Sequence, residues 1–228
     1  MLLIISGLLT ASSASAAVIF ADVTNINVPN QKATGTLGGI GFTLVPTLVR
    51  PAIGFGTNAI VGGVTNGTST AFNNPTYFTP HLPSGDIIVL SAISDFRITF
   101  DSPITNPTLH IYQLSSNTLS FTSGGHPITF TLLSSDGDFT VLSGHQITGL
   151  SPFVQTATGD DANGSLLFPG TFTEISWTSN AAINGDGFGI QISTTTPEPA
   201  SWALLLLTTG PAALYRYRRG KKVINQSP

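Results

Sequence analysis

The 228-residue chain has no cysteine. It therefore forms no disulfide, binds no metal through a thiolate and has no thiol nucleophile. Charge is nearly as scarce, since Asp, Glu, Lys and Arg together make up 8% of the residues. Of the eight Lys and Arg, five stand together as Arg216, Arg218, Arg219, Lys221 and Lys222. Between Ala17 and Thr196, ten acidic residues are set against Lys32, Arg50 and Arg97, a net charge of −7. Nucleic acids and anionic lipids are gripped by a cationic footprint, so this region is a poor match to either.

The same region also lacks a convincing helix. Ala, Leu, Glu, Lys and Arg are sparse, while Gly, Pro, Asn and Ser interrupt every few residues. Between the interruptions stand runs of Thr, Val, Ile and Phe, the composition of many short strands joined by turns. Several runs alternate with period two. Phe96, Ile98 and Phe100 fall opposite Arg97 and Thr99, and Leu109 and Ile111 opposite His110 and Tyr112. Ile128, Phe130 and Leu132 alternate with Thr129 and Thr131, Ile175 and Trp177 with Glu174 and Ser176, and Phe188, Ile190 and Ile192 with Gln191 and Ser193. Such strands are expected to bury one face and leave the other wet. Turns are expected at Asp101-Ser102-Pro103, Asn106-Pro107, Ser123-Gly124-Gly125, Asp136-Gly137, Asn163-Gly164 and Asn184-Gly185. The spacing predicts an all-β, antiparallel, jelly-roll-like β-sandwich over 17–195. Residues 17–85 are richer in glycine and supply either its early strands and long loops or a separate small domain.

Catalytic patterns are thin. His81, His110, His126 and His145 show no metal-site spacing and are expected to be solvated or hydrogen-bonded. No G-x-S-x-G elbow occurs. Glu174 and nine aspartates are the carboxylates of 17–195, and most of these aspartates neighbour Gly, Asn or Ser, as turn residues do. A hydrolase would need two of them to converge in a cleft. Asp136, Asp138, Asp160, Asp161 and Asp186 admit a second reading as oxygen ligands of a structural Ca²⁺. Tyr77, Phe78 and Tyr112 are expected to pack in the core or at its rim, with stacking on sugar rings as the alternative. Asn66-Gly67-Thr68 and Asn163-Gly164-Ser165 match a glycosylation sequon and are read as turns.

The two ends differ from the middle. Met1–Leu9 is apolar and Ala14-Ser15-Ala16 fits a secretory cleavage site, so 1–16 is expected to be a signal peptide. At the other end Pro197-Glu198-Pro199 precedes the apolar run Ala200–Leu214, and the basic cluster follows. The two prolines favour an extended backbone at 197–199. Fifteen apolar residues in a helix span about 22 Å, short of a bilayer core of about 30 Å. Tyr215 and Tyr217 extend the span to about 200–217, and the arginine arms can snorkel to the interface. The cations would hold their end of the helix in the cytoplasm, which puts everything before Ala200 outside.

These three C-terminal parts, in this order and spacing, resemble a PEP-CTERM sorting signal. The resemblance covers about thirty residues and assigns 196–222 to the signal, with 223–228 as a short tail. It implies an exported Gram-negative protein handled by an exosortase-type membrane protease. It also implies a setting at the cell surface or in the extracellular matrix, at least transiently anchored in the inner membrane. Phe96–Leu114 and Gly185–Ile192 look similar to the β-sandwich ectodomains that often precede such tags. The expected function is a non-enzymatic surface protein, structural or adhesive, within an exopolysaccharide or biofilm matrix. A secreted carbohydrate-binding module, Ca-stabilised or not, is the alternative, and a secreted hydrolase a third.

Overall fold

A computed structural model describes residues 16–50, 57–115, 117–149, 161–181 and 187–195. The expected signal peptide, the sorting motif at Pro197–Pro199, the apolar helix and the basic cluster lie outside the described residues. So do Asp160, Asp186 and the Asn184-Gly185 turn.

Every regular element among the described residues is a strand. In chain order these are β1 (Val18–Phe20), β2 (Asp22–Asn27), β3 (Lys32–Leu37), β4 (Ile40–Leu48), β5 (Ile60–Ser69), β6 (Gly85–Ser91), β7 (Asp95–Thr105) and β8 (Thr108–Leu114). There follow β9 (Asn117–Ser123), β10 (His126–Pro127), β11 (Thr131–Ser135), β12 (Thr140–Ser143), β13 (Gln146–Thr148), β14 (Ala162–Leu167), β15 (Thr171–Ala181) and β16 (Gly187–Thr195). Among the described residues no helix is long and apolar enough to cross a membrane.

The strands make two antiparallel sheets. One is ordered β11-β14-β8-β16-β6-β5, with β1 added on β16; the other runs β12-β13-β9-β15-β7-β4-β3-β2, with β10 added on β9. Successive strands from β6 to β9, and again from β14 to β16, switch from one sheet to the other. Val18–Thr195 forms one compact unit, to which 17–85 contributes β1–β5 in both sheets. The two sheets pool their apolar residues in a single core, giving a sandwich-like arrangement. Trp177, Phe96, Phe121, Phe168 and Phe188 are its largest members. Phe121 meets Phe168 edge-on at 5.0 Å, and Phe96 packs on Trp177 at 5.6 Å.

Phe96/Ile98/Phe100 and Ile175/Trp177 do face the core, with Arg97 and Thr178 exposed behind them. Turns occur at Asn106-Pro107 and at Gly124-Gly125, whose φ of 56° and 78° suit a two-residue hairpin between β9 and β10.

Four expectations are corrected. Asp101-Ser102-Pro103 is not a turn: β7 runs through it, because Ile104 and Thr105 still pair with Phe172 and Thr171 beyond a bulge. Asn163-Gly164 lies inside β14, where a Cβ on Gly164 would sit 2.7 Å from the Phe139 ring and 2.6 Å from the Ser134 carbonyl oxygen. The alternating run 128–132 is no single strand. His126-Pro127 pairs in one sheet and Thr131 onward in the other, so the segment crosses between them. Finally, β8 and β16 are covered on both faces: His110, Gln191 and Ser193 are buried although they point away from the core.

What covers them is a second cluster. Phe72 and Phe78, from the segment between β5 and β6, lie against Ile87, with Val64, Tyr77, Leu82 and Tyr112 packed around them. Beside it Asp86 on β6 ties β2 to β5, since its carboxylate accepts from Val23 N at 2.7 Å and from Gly67 N at 2.8 Å. The Asn66-Gly67 sequon is thus an irregularity within β5, with Gly67 at φ 68°, that delivers an N–H to a buried acid.

Candidate functional site

At the border of this second cluster lies a recess of about 320 Å³. Three pieces of chain build it: the segment after β5, the end of β8 and the start of β14. The segment after β5 is fixed by its own bonds. Asn74 accepts from Thr76 N through Oδ1 at 2.9 Å, and its carbonyl accepts from Phe78 N at 3.0 Å, as an Asx turn does. Ser134 Oγ donates to the Tyr77 carbonyl at 3.1 Å, and Thr79 N donates to Ser165 Oγ at 3.0 Å, pinning the loop to β11 and β14.

On β8 a bulge sets the geometry. Tyr112 and Gln113 together oppose Asn163, and Gln113 takes φ 61°. Its N–H, displaced from the ladder, donates to Asn163 Oδ1 at 3.0 Å. Bulges re-aim side chains, and here both Tyr112 and Gln113 line the recess. Tyr112 meets Phe72 edge-on at 6.2 Å, and Phe72 in turn lies 6.2 Å from His110, so the wall rests on the covered sheet.

Asn163 is fully engaged. Its Nδ2 donates to Asp136 Oδ2 at 2.7 Å and to the Asp161 carbonyl at 3.0 Å. Asp136 accepts in addition from Asp138 N through Oδ1 at 3.0 Å and from Asn163 N through Oδ2 at 2.8 Å. Burial raises the Asp136 carboxyl above its ordinary value, while the N–H bonds pull it down. Both of its oxygens thus accept N–H bonds. Among the described residues no three His, Asp or Glu side chains are grouped to hold a metal ion.

The structure brings together two sets of residues that the sequence kept apart. Tyr77, Phe78 and Tyr112 line the same recess as Asp161. Phe78 packs in the core, as expected for a core or rim residue, while Tyr77 and Tyr112 are half-buried at the rim. Asn73, Asn74, Gln113 and Asn163 were not anticipated as lining. The asparagine pair before Pro75 and the outward position of Tyr112 were the available signals.

His110 is the other polar feature. Its Nδ1 and Nε2 bond Ser165 Oγ and Ser193 Oγ, each at 2.8 Å. Burial lowers its pKa to about 3, so the ring is neutral. A serine bonded to a histidine is the arrangement of an activated nucleophile. Here Ser165, His110 and Ser193 are all buried, with the rings of Phe20, Phe72 and Phe78 around the imidazole. All three are shielded from solvent. His81 and His126 are exposed and His145 half-buried.

Two further carboxylates are bonded within the fold. Asp95 pairs with Arg50 at 2.9 and 3.1 Å and accepts from Ser179 N. Glu174 accepts from Gly124 N at 2.9 Å. Comparison with protein-family models, with curated proteins and with solved structures found no match to this chain.

Proposed function

We propose that this chain is a non-enzymatic exported surface protein. It is sorted or anchored through a C-terminal PEP-CTERM tag, read by an exosortase-type membrane protease. Its β domain, outside the cytoplasm, serves as a structural or adhesive unit associated with an exopolysaccharide matrix. We read the strand order β6-β16-β8-β14 beside β7-β15-β9-β13 as a jelly-roll-like sandwich, a fold that holds together without cysteine when its core is this aromatic.

The register of β1 on β16 carries the proposal. Val18 stands opposite Thr195, so both ends of the folded unit leave from one end of one sheet. Only Thr196 separates Thr195 from Pro197. Proline has no N–H to give a ladder, which favours a motif of the extended, unpaired kind that a protease grips. The commitment of Asp86, Asp95, Asp136 and Glu174 to backbone N–H groups supports the non-enzymatic part.

Intact mass of the protein recovered from its native cells tests this directly. The expected species begins at Ala17, lacks residues 200–228 and is found in the envelope or medium. A mass that includes 200–228 overturns the processing step. A full-length chain free in the cytosol overturns the export itself.

A further inference from the structure

We propose that the recess between the Asn73–Phe78 loop, the bulge of β8 and the start of β14 binds an uncharged sugar residue. This deepens the function proposed above by naming the part of the matrix that the domain would hold. The chemistry of the site stands apart from where the protein resides; only the source of the sugar, an extracellular polysaccharide, rests on export.

Size comes first. About 320 Å³ lies at the small end of the range, about 300–1,000 Å³, of sites for small organic ligands. That admits one sugar residue or a chain end rather than a long segment. Chemistry comes next. Tyr77 and Tyr112 are half-buried rings with apolar bodies and polar tips, while Asn73 and Gln113 are exposed amides beside them. A pyranose presents C–H groups that pack on aromatic faces, and vicinal hydroxyls that both donate and accept. An amide supplies two donors and one acceptor oxygen, which answers such a hydroxyl pair. Tyrosine and asparagine combine in this way wherever a ligand is both apolar and richly hydrogen-bonding.

Charge then narrows the class. Among the described residues the lining holds the carboxylate of Asp161 and no Lys, Arg or His. Asp136 lies just behind it, bonded to Asn163. Phosphate, sulfate and uronic acid groups would enter an acidic site with no cation to meet them. A neutral sugar meets no such penalty, and a carboxylate is a strong acceptor for its hydroxyls.

Preorganisation is the last point. The Asx turn at Asn74, the Ser134 bond to Tyr77 and the Asn163 bond to the Gln113 N–H fix the walls without any ligand. A wall already ordered loses little entropy on binding, which suits the weak, repeated contacts of a polysaccharide.

The test uses the mature chain as recovered from cells, titrated by calorimetry. The probes are uncharged di- and tetrasaccharides of glucose, galactose, mannose, rhamnose and N-acetylglucosamine, with oligogalacturonate as the acidic probe. At least one uncharged probe is expected to bind, and oligogalacturonate is not. Tyr112→Ala should weaken binding about tenfold, and Tyr112→Phe much less. Asn73→Trp fills the recess from its exposed rim without removing a contact of the second cluster, and should abolish binding at an unchanged melting temperature. Silence across the uncharged panel overturns the proposal. So does preference for oligogalacturonate, or binding by Asn73→Trp equal to the parent. None of these outcomes depends on the cell fraction in which the protein is found, so failure of this site and failure of the export proposal are separable.

Discussion

On the nine-stranded sheet the residues that point away from the core are exposed, as Arg97 and Thr178 are, or half-buried, as Thr99, Ser120 and Ser176 are. On the seven-stranded sheet their counterparts His110, Ser165, Gln191 and Ser193 are buried. The cause is the segment between β5 and β6, which folds back and lays Phe72 and Phe78 over β8. Polar side chains under that cover survive by bonding one another and the backbone. Gln191 donates to the carbonyls of Ala21 and Asp86 and accepts from Ile192 N. The recess lies where this dry layer ends. A covered sheet face gives a ligand site its rigid floor, and the edge of the cover gives it walls. The uncovered sheet offers neither.

The contrast is sharpest in a pair of truncations. Trp177→Ala, at the centre of the shared core, should cost about 3–5 kcal/mol in urea unfolding. Phe72→Ala in the outer cover should fall near the lower end, about 3 kcal/mol, because it is as completely buried but has fewer buried apolar neighbours. A loss below about 1 kcal/mol for Phe72→Ala would mean that the cover opens independently of the sandwich, and the recess would lose its fixed floor.

Acid should act on the covered sheet through His110. His110 is neutral in the fold down to about pH 3, whereas in the unfolded chain it takes a proton near 6.5. The unfolded state therefore binds more protons between those values, and stability must fall as pH is lowered from 6.5 towards 3. One such site changes the folding constant by up to tenfold per pH unit, a few kcal/mol over the window. Urea midpoints measured from pH 7 to pH 4 should show that slope in the parent. His110→Gln should flatten it. A parent midpoint that does not move would sink the burial of His110.

Much of the inner layer was legible from sequence, because period-two alternation reports directly which residues meet across the core. Phe96, Ile98, Phe100, Ile175 and Trp177 all obey it. The outer cover was not legible. Alternation marks His110 and Gln191 as pointing out of the sheet, but cannot tell water from Phe72, which reaches β8 from a distant segment without any periodicity of its own. For the same reason Asn163-Gly164 passed as a turn. An Asn-Gly pair is ambiguous between a hairpin and a strand crossed closely by an aromatic ring, and Phe139 decides it. The recess was half visible: Tyr77, Tyr112 and Asp161 were singled out one by one, and only the β8 bulge and the Asn74 turn bring them to a common wall.

Asp86 on β6 ties β2 and β5 together. Asp86→Ala leaves the N–H groups of Val23 and Gly67 without their acceptor, and should cost about 2 kcal/mol by thermal or urea unfolding. Asp86→Asn keeps an acceptor oxygen and should lose less. Equal losses for the two would mean that negative charge, rather than the pair of hydrogen bonds, is what β2 and β5 require.

The smallest effects belong to the exposed face of the other sheet. Arg97→Ala and Thr178→Ala should each change stability by no more than about 0.5 kcal/mol, since neither residue is covered. Arg97 is one of three cations between Ala17 and Thr196, so its removal also makes an already acidic domain more so. That change is long-range and weak at physiological ionic strength, and should fade further as salt is added. A loss several times larger, insensitive to salt, would require Arg97 to be buried in solution. The nine-stranded sheet would then be covered too, by a second copy of the chain or another partner, and the contrast between a wet sheet and a dry one would hold only for the isolated domain.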